Sequence, residues 1–170
     1  MKYGDVHLVA LTDAEFVQYR LQVIKEYAAE SADAGRIPQD KALEWAERET
    51  DKLLPEGNST KDAYILKIVS HGQPNRILGY LWSARDANNP GNAFVYDVQV
   101  LPAYRGHGVG TAALHQLDSF LKERGYRAVG LHVYAANETA QMLYRKCGYK
   151  PISHVLRKEL LSGNDPNPSI

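Results

Sequence analysis

Short apolar runs and helical spacing alternate over the first sixty residues of the chain. An apolar run over residues 6–11 predicts an opening strand. Thr12 and Glu15 follow it at the spacing of a capping box, in which a hydroxyl and a carboxylate cap a helix start reciprocally. The helix that they start shows apolar residues every three or four positions, and it is expected to end at Gly35.

A second helix is predicted after Pro38, which suits a first helical turn because the N–H groups of that turn have no partner within the helix. Pro55 and Gly57 are expected to stop it. Its predicted apolar face consists of Leu43, Ala46, Thr50, Leu53 and Leu54. The chain is therefore predicted to open as strand, helix, helix.

The pattern then changes from helical spacing to runs that favour strands. Residues 63–69, 77–84 and 93–100 form three such runs, joined by stretches with turn chemistry. Three consecutive strands with short connections predict an antiparallel meander. Regular alternation along the third strand predicts one face with Val95, Asp97 and Gln99, and an opposite face with Phe94, Tyr96, Val98 and Val100.

Helical spacing returns over about residues 108–124, and an apolar strand is predicted over residues 128–134. A strand, helix, strand unit of this kind predicts that the sheet becomes parallel at this point. A shorter helix over residues 137–146 and a last strand over about residues 152–160 follow. The pattern as a whole predicts an α/β fold.

The chain has 170 residues, 44% of them hydrophobic and 24% charged, which is the usage of a soluble globular protein. We expect a single domain over residues 1–160 and a disordered tail over residues 161–170. No apolar run is long enough for a membrane span or a signal peptide, so we expect a cytoplasmic protein without a membrane partner. The single cysteine, Cys147, and six histidines without metal spacing lead us to expect no bound metal.

Twenty basic and twenty acidic residues balance, which argues against a nucleic-acid partner. The balance is uneven along the chain, because residues 12–56 hold eleven acids against six bases and residues 57–170 hold eight acids against thirteen bases. One interpretation is that two helices show solvated acidic faces. The other is that a cationic ligand lies near the first segment and an anionic ligand on the second.

Three glycines, Gly106, Gly108 and Gly110, lie between a predicted strand and a predicted helix. Glycines let backbone N–H groups approach an anion, and a helix N-terminus adds unpaired N–H groups and a positive dipole. The loop is therefore a candidate phosphate site, although a tight loop without a ligand would show the same spacing. No Gly-Lys-Ser/Thr follows, so it is not a triphosphate loop, and its spacing does not fit a dinucleotide fingerprint.

The wider pattern, Arg105-x-x-Gly108-x-Gly110, resembles the acyl-CoA signature of the GNAT superfamily of N-acetyltransferases. A second GNAT motif is matched by residues 137–149, which read NETAQMLYRKCGY. The resemblance extends over residues 1–160. In detail, the sequence is similar to a largely uncharacterised group of bacterial GNAT proteins. It implies a mixed, centrally split sheet of six or seven strands with about four helices, and acetyl-CoA as co-substrate.

The resemblance also implies which residues bind acetyl-CoA. Backbone groups around Gln99 would pair with the pantetheine arm, and the glycine loop would bind the pyrophosphate. Asn137 would bond the pantetheine amides, although its position equally suits a helix N-cap. The implied cofactor-binding residues are Val98, Gln99, Val100, Arg105, Gly106, His107, Gly108, Val109, Gly110, Thr111, Asn137 and Tyr144.

Catalytic roles follow from the same resemblance. Tyr144 matches the tyrosine that protonates the departing thiolate, a task for which a phenol with a pKa near 10 is suited. Asp97 is the leading candidate for the base that takes the amine proton, because a carboxylate in mid-strand is costly without a function or partner. Glu26 and Glu30, four residues apart on one helix face, are alternative bases or bind the cationic acceptor.

The expected function is direct transfer of acetyl from acetyl-CoA to a primary amine of a small-molecule or peptide acceptor. A non-catalytic acyl-CoA-binding regulatory module is the alternative, and retention of Tyr144 and Asp97 argues against it. The sequence leaves the acceptor unidentified and leaves both a monomer and a homodimer open.

Overall fold

The computed structural model describes residues 5–158 and residue 160. Within them lie five strands, four helices and two short 3-10 turns, Gly57–Ser59 and Pro102–Tyr104. The strands are β1 (Val6–Ala10), β2 (Ala63–Ser70), β3 (Gln73–Arg85), β4 (Ala93–Val100) and β5 (Val129–Leu131). The helices are α1 (Asp13–Asp33), α2 (Ala42–Leu53), α3 (Val109–Glu123) and α4 (Glu138–Lys146).

The first helix begins where the sequence predicts. The Thr12 hydroxyl accepts from the backbone N–H of Glu15, and the Glu15 carboxylate accepts from the backbone N–H of Thr12, which confirms the capping box. Gly35 follows the helix with a φ of +65°, a conformation that glycine adopts at little cost.

The predicted apolar face of α2 is wrong at one position. The buried residues of this helix are Ala42, Ala46 and Thr50, whereas Leu43 is 54% exposed. The helix begins at Ala42, and Pro38 lies in the turn before it, where its carbonyl accepts from the N–H of Lys41. Small side chains at four-residue spacing let α2 pack closely on α1, so the buried stripe runs through the alanines rather than through the leucine.

The sheet has the order β1-β2-β3-β4-β5, with the first four strands antiparallel and β5 parallel to β4. This confirms the predicted meander and the change to parallel pairing. Helices α1 and α2 cover one face, where they share a core with Ile65 and Trp82. Helices α3 and α4 cover the other face, where Leu114 and Leu117 are fully buried.

The expected strand count of six or seven is wrong for the described residues, which form five. Residues 152–158 were predicted as a strand, but Ile152 and Val155 are 98% and 95% exposed. An apolar run becomes a strand only where a partner edge is available, and here Arg157 donates to the carbonyl of Gly35 at 3.1 Å. The rest of that prediction and the predicted tail, residue 159 and residues 161–170, lie outside the described residues.

A β-bulge interrupts the pairing of β3 with β4. Trp82 lies opposite Asp97, but the next residue of β3 lies opposite Val95, so Tyr96 is the extra residue. The predicted alternation is therefore wrong: Val95 packs on the α3 face, whereas Tyr96, Asp97 and Gln99 contact the core or side chains of α1.

β4 and β5 separate after a short stretch of pairing, so the sheet is split, as expected. The parallel ladder runs from Ala93 with Val129 to Val95 with Leu131. The predicted strand over residues 128–134 is thus shorter than expected. Residues 96–100 of β4 have no partner among the described residues of β5, and we call this side of β4 the open edge. None of the helices that the structure describes is long and apolar enough to cross a membrane.

Candidate active site

The open edge presents backbone groups of two predicted cofactor residues. The N–H of Leu101 donates to the carbonyl of Leu78 on β3 at 2.9 Å. Because backbone groups of successive strand residues point to opposite sides, those of Val98 and Val100 face the open edge. The Nε of Arg105 donates to the Val100 carbonyl at 2.9 Å, so this guanidinium ties the glycine loop to the end of β4.

Two residues of the glycine loop adopt a left-handed backbone conformation that favours glycine. Gly106 and Gly108 have φ values of +74° and +85°, and a Cβ built on either would meet no atom within 4 Å. The space beside them is therefore open, and Gly108 at the N-cap of α3 has no side chain that could accept from the N–H groups of the first turn. Free space and first-turn N–H groups together suit an anion.

The other loop residues have different surroundings. A Cβ on Gly110 would lie 3.0 Å from Leu143 Cδ2, so this glycine permits close packing of α4 on α3. Val109 is buried in the core, and His107 is exposed, with its Nδ1 2.7 Å from the carbonyl of Arg105. Burial is the main cause that raises the pKa of the Cys147 thiol, and the nearby Thr111 side chain lowers it.

Asn137 caps α4. Its Oδ1 accepts from the N–H of Ala140 at 3.1 Å, which confirms the N-cap interpretation. Gln141 of the same helix donates to the carbonyl of Ala135 at 2.8 Å. The loop between β5 and α4 is therefore fixed at both the cap and the first turn of the helix.

Asp97 lies at the split, on the α1 face. It accepts a 2.8 Å hydrogen bond from the hydroxyl of Tyr19, a residue of α1. The pKa of Asp97 is raised from its ordinary 3.8 to about 7. Loss of hydration is the main cause, and the charges of Glu26 and Glu30 act in the same direction, whereas the hydrogen bond from Tyr19 lowers the pKa. A carboxyl group with a pKa near neutrality suits a general base.

Tyr144 lies on α4 and packs with the core of the α3 face. Burial raises the pKa of its hydroxyl to about 12, and the charges of Asp97 and Glu30 contribute to this. The phenol therefore stays protonated at neutral pH and can donate a proton. The structure thus brings Tyr144, Asp97 and Glu30 within electrostatic reach of one another, although they come from three different elements.

Glu26 and Glu30 have unequal surroundings. The side-chain amide of Gln99 donates to both carboxylate oxygens of Glu26, at 2.6 and 2.7 Å, and Gln22 donates to Glu26 Oε1 at 3.0 Å. The Gln99 side chain is thus held on the α1 side of β4. Glu30 is exposed, and its pKa is raised mainly by lost hydration and then by the charge of Glu26.

Sequence reasoning missed two contributors to this site. Tyr19 reads as one more residue of the apolar stripe on α1, and no local signal separates it from its core neighbours. The hydroxyl of Tyr134 lies 3.2 Å from that of Ser31 and accepts from Arg36 at 3.1 Å, which ties the chain after β5 to the end of α1. Within the described residues, no three His, Cys, Asp or Glu side chains are grouped to hold a metal ion.

A family model and two relatives of known sequence match this chain over most of its length. Residues 25–149 match the family model described as the acetyltransferase (GNAT) family. The chain is 32% identical to the uncharacterized N-acetyltransferase YdgE of Bacillus subtilis, over 88% of this chain and 95% of that protein. It is 33% identical to the uncharacterized N-acetyltransferase YycN of the same organism, over 91% and 99%.

The crystal structure of YycN superimposes with a TM-score of 0.85 at 31% identity, covering 92% of this chain and 99% of that one. A mycothiol acetyltransferase of Paenarthrobacter aurescens is 31% identical over 71% of this chain, which corresponds to 37% of that protein.

Proposed function

Since the chain belongs to the GNAT family of acetyltransferases, we propose that it transfers acetyl directly from acetyl-CoA to a primary amine of a small-molecule or peptide acceptor. One observation carries the proposal. The open edge of β4 runs from the glycine loop at one end to Asp97 at the split, with Tyr144 in electrostatic reach. The glycine loop, the open edge and the proposed base therefore follow one another along β4 and its connection to α3, and the proposed acid reaches them from α4.

The chain's residues fit acetyl-CoA in a specific way. The N–H groups from Gly106 to Thr111 bind the pyrophosphate, and the open space beside Gly106 and Gly108 receives it. The guanidinium of Arg105 adds a cation while its Nε holds the Val100 carbonyl. Bound acetyl-CoA supplies a thioester carbonyl that an amine can attack.

The pantetheine arm lies along the open edge. The Val98 carbonyl and the Val100 N–H pair with it as groups of a further strand would, since the Val98 N–H bonds the Asp97 carboxylate and the Val100 carbonyl accepts from Arg105. Gln99 holds the strand to α1, and Val109 and Gly110 shape the start of α3 through packing. His107 is exposed beside the loop, and Asn137 caps the helix that carries Tyr144, so both frame the cofactor.

Two side chains move the protons. Asp97 takes the proton that the amine loses as its nitrogen bonds to the acetyl carbon. Tyr144 gives its hydroxyl proton to the sulfur as the carbon–sulfur bond breaks. The products are an N-acetyl amide and free coenzyme A, and the proton balance between base and acid is restored through solvent.

The acceptor is proposed to carry positive charge. Glu26 and Glu30 add two carboxylates to the α1 side of the cleft, and residues 12–56 as a whole are acidic. An ammonium group bound there would offset the repulsion between these carboxylates and Asp97. One relative is named for a small molecule, mycothiol, which supports a small-molecule acceptor without identifying it.

The first test is ligand-dependent thermal unfolding. Acetyl-CoA is expected to raise Tm, because a ligand that binds only the folded state stabilises that state. ATP at the same concentration is expected to leave Tm unchanged. Equal shifts with both ligands, or no shift with acetyl-CoA, would contradict the proposed cofactor site. Gly125→Ala serves as a control variant, because it alters a positive-φ glycine at the far end of α3. It should show the same rise in Tm with acetyl-CoA as the wild type.

The second test is release of free thiol from acetyl-CoA with a panel of amines. The panel pairs butylamine with 1,4-diaminobutane and adds spermidine, glucosamine, lysine and a lysine-containing peptide. We expect amine-dependent thiol release with at least one cationic acceptor. Binding of acetyl-CoA without release for any amine would favour the non-catalytic module.

A further inference from the structure

Tyr19 makes a contact that its place in the helical stripe does not require. Its side chain is 3% exposed, and its ring lies 5.5 Å from that of Tyr80 in a tilted arrangement. Packing alone would be served by phenylalanine at this position. The hydroxyl nevertheless donates to Asp97 Oδ2 at 2.8 Å, across the interface between α1 and β4.

The β-bulge makes this contact possible. If Tyr96 were paired like its neighbours, regular alternation would put Asp97 on the same face as Val95, against α3. The bulge turns Asp97 toward α1 instead, where Tyr19 lies. The same bulge occurs at the residue where the open edge begins, so the carboxylate is set at the split itself.

Several charged or titratable groups face Asp97. Glu26 and Glu30 come from α1, Tyr144 comes from α4, and the backbone N–H of Val98 comes from its own strand. The two glutamates and the loss of hydration oppose ionisation of Asp97. The side chain that stabilises its ionised form is Tyr19, together with the Val98 N–H.

We propose that Tyr19 is a positioning residue for acetyl transfer, holding the Asp97 carboxylate in place at the split and in its proton-accepting form. The inference rests on the proposed function, because it takes Asp97 as the base. Tyr19 itself does not exchange protons with the substrate. Burial and the neighbouring Asp97 charge hold the pKa of the Tyr19 hydroxyl well above its usual range, so it remains a donor throughout the working pH range.

The decisive experiment titrates Asp97 directly. In protein labelled with ¹³C-aspartate, the carboxyl signal that disappears in Asp97→Asn is followed against pH in the wild type and in Tyr19→Phe. Loss of a hydrogen bond to an ionised group should raise the titration midpoint by about one pH unit. Tyr80→Phe is the matched control, since it removes a hydroxyl from the adjacent ring and should leave the midpoint unchanged.

A kinetic readout separates positioning from simple stability. With the fastest amine of the panel, the acidic limb of the kcat profile should move upward by the same amount in Tyr19→Phe. The rate would then fall about tenfold at pH 6 and recover at pH 9, with KM for acetyl-CoA unchanged. A merely structural role would lower the rate equally at every pH.

The outcomes separate the two proposals. An unchanged midpoint in folded Tyr19→Phe would overturn this inference and leave acetyl transfer standing. Absence of acetyl transfer by the wild type, with a shifted midpoint, would overturn the proposed function and with it the catalytic meaning of the bond. If Tyr19→Phe does not fold, 3-fluorotyrosine at position 19 provides a more acidic donor in its place. This change should lower the titration midpoint of Asp97, and an unchanged midpoint would overturn the inference.

Discussion

Burial and then the charge of Asp97 raise the pKa of the Tyr144 hydroxyl, although the side chains of Asp97 and Tyr144 belong to opposite faces of the sheet. They reach each other because β4 and β5 separate after Val95, which leaves no strand between them. The ionised Asp97 therefore favours the protonated form of Tyr144. The proposed chemistry needs this pair of protonation states at neutral pH.

Tyr144→Phe removes the proposed acid while keeping the ring in its packing. The affinity for acetyl-CoA should stay within a factor of about two, and kcat should fall by about a hundredfold, within the range of general acid catalysis. Calorimetric titration and steady-state thiol release measure the two quantities. Tyr149→Phe, which alters the ring that Tyr144 contacts edge-on, is the matched control and should retain turnover. Unchanged kcat in Tyr144→Phe would remove its assigned role.

Asp97→Asn should separate activity from stability. The folded protein holds the pKa of Asp97 near 7 against an ordinary 3.8, so the native state favours the protonated carboxyl. The wild type therefore loses stability as pH rises from about 4 through 7, and this loss is complete above pH 8. Asparagine does not ionise, so the variant should gain about 1–2 kcal/mol at pH 8, or a few degrees in Tm, while acetyl transfer collapses.

The measurement is thermal unfolding of both proteins between pH 5 and pH 8. The difference in Tm should grow with pH and favour the variant at the upper end. If instead the Tm of the variant falls below that of the wild type by more at pH 8 than at pH 5, the carboxylate is structural.

Glu26→Gln and Glu30→Gln test the acceptor side of the cleft. Each should raise KM for 1,4-diaminobutane more than for butylamine, because the diamine keeps a second positive charge. We expect the Glu30 variant to show the clearer effect, since the Glu26 carboxylate already accepts from Gln99. Glu44→Gln, on the exposed surface of α2, serves as the charge-matched control. Equal KM changes for both amines would contradict charge recognition.

Gly79→Ala tests the close approach of β3 to β4. A Cβ at this position would lie 2.0 Å from the backbone carbonyl oxygen of Gln99, so the strands would have to move apart. We expect a loss of about 2–4 kcal/mol, measured by urea unfolding. Gly130→Ala is the control, because its nearest atom would be an ordinary 3.6 Å away on Phe94. Similar losses in both variants would refute the steric explanation.

Local signals predicted much of this fold. The capping box of Thr12 and Glu15 depends on three residues of sequence, and the structure contains it as expected. The third strand of the meander matches its predicted bounds over residues 93–100, since Asp86 to Gly91 and Pro102 flank it with turn chemistry. The family motifs pointed to the glycine loop and to a helix over residues 137–146, and the structure forms that helix as α4.

Features that depend on pairing could not be read in the same way. The bulge at Tyr96 arises from the register between β3 and β4, so simple alternation put Asp97 on the wrong face relative to Val95. The burial of Ala42 in place of Leu43 depends on how closely α1 and α2 approach. Tyr19 showed no signal of its own, because its partner lies 78 residues away.

The most direct test of the central claim follows the acetyl group itself. Wild-type protein is incubated with acetyl-CoA labelled with ¹³C at the acetyl carbonyl and with each amine of the panel, and the products are identified by NMR and mass spectrometry. We predict labelled acetyl on an amine nitrogen and an equal amount of free coenzyme A. The double variant Tyr144→Phe, Asp97→Asn should give neither product. Coenzyme A released without an N-acetylated product, or bound acetyl-CoA that no amine consumes, would contradict it.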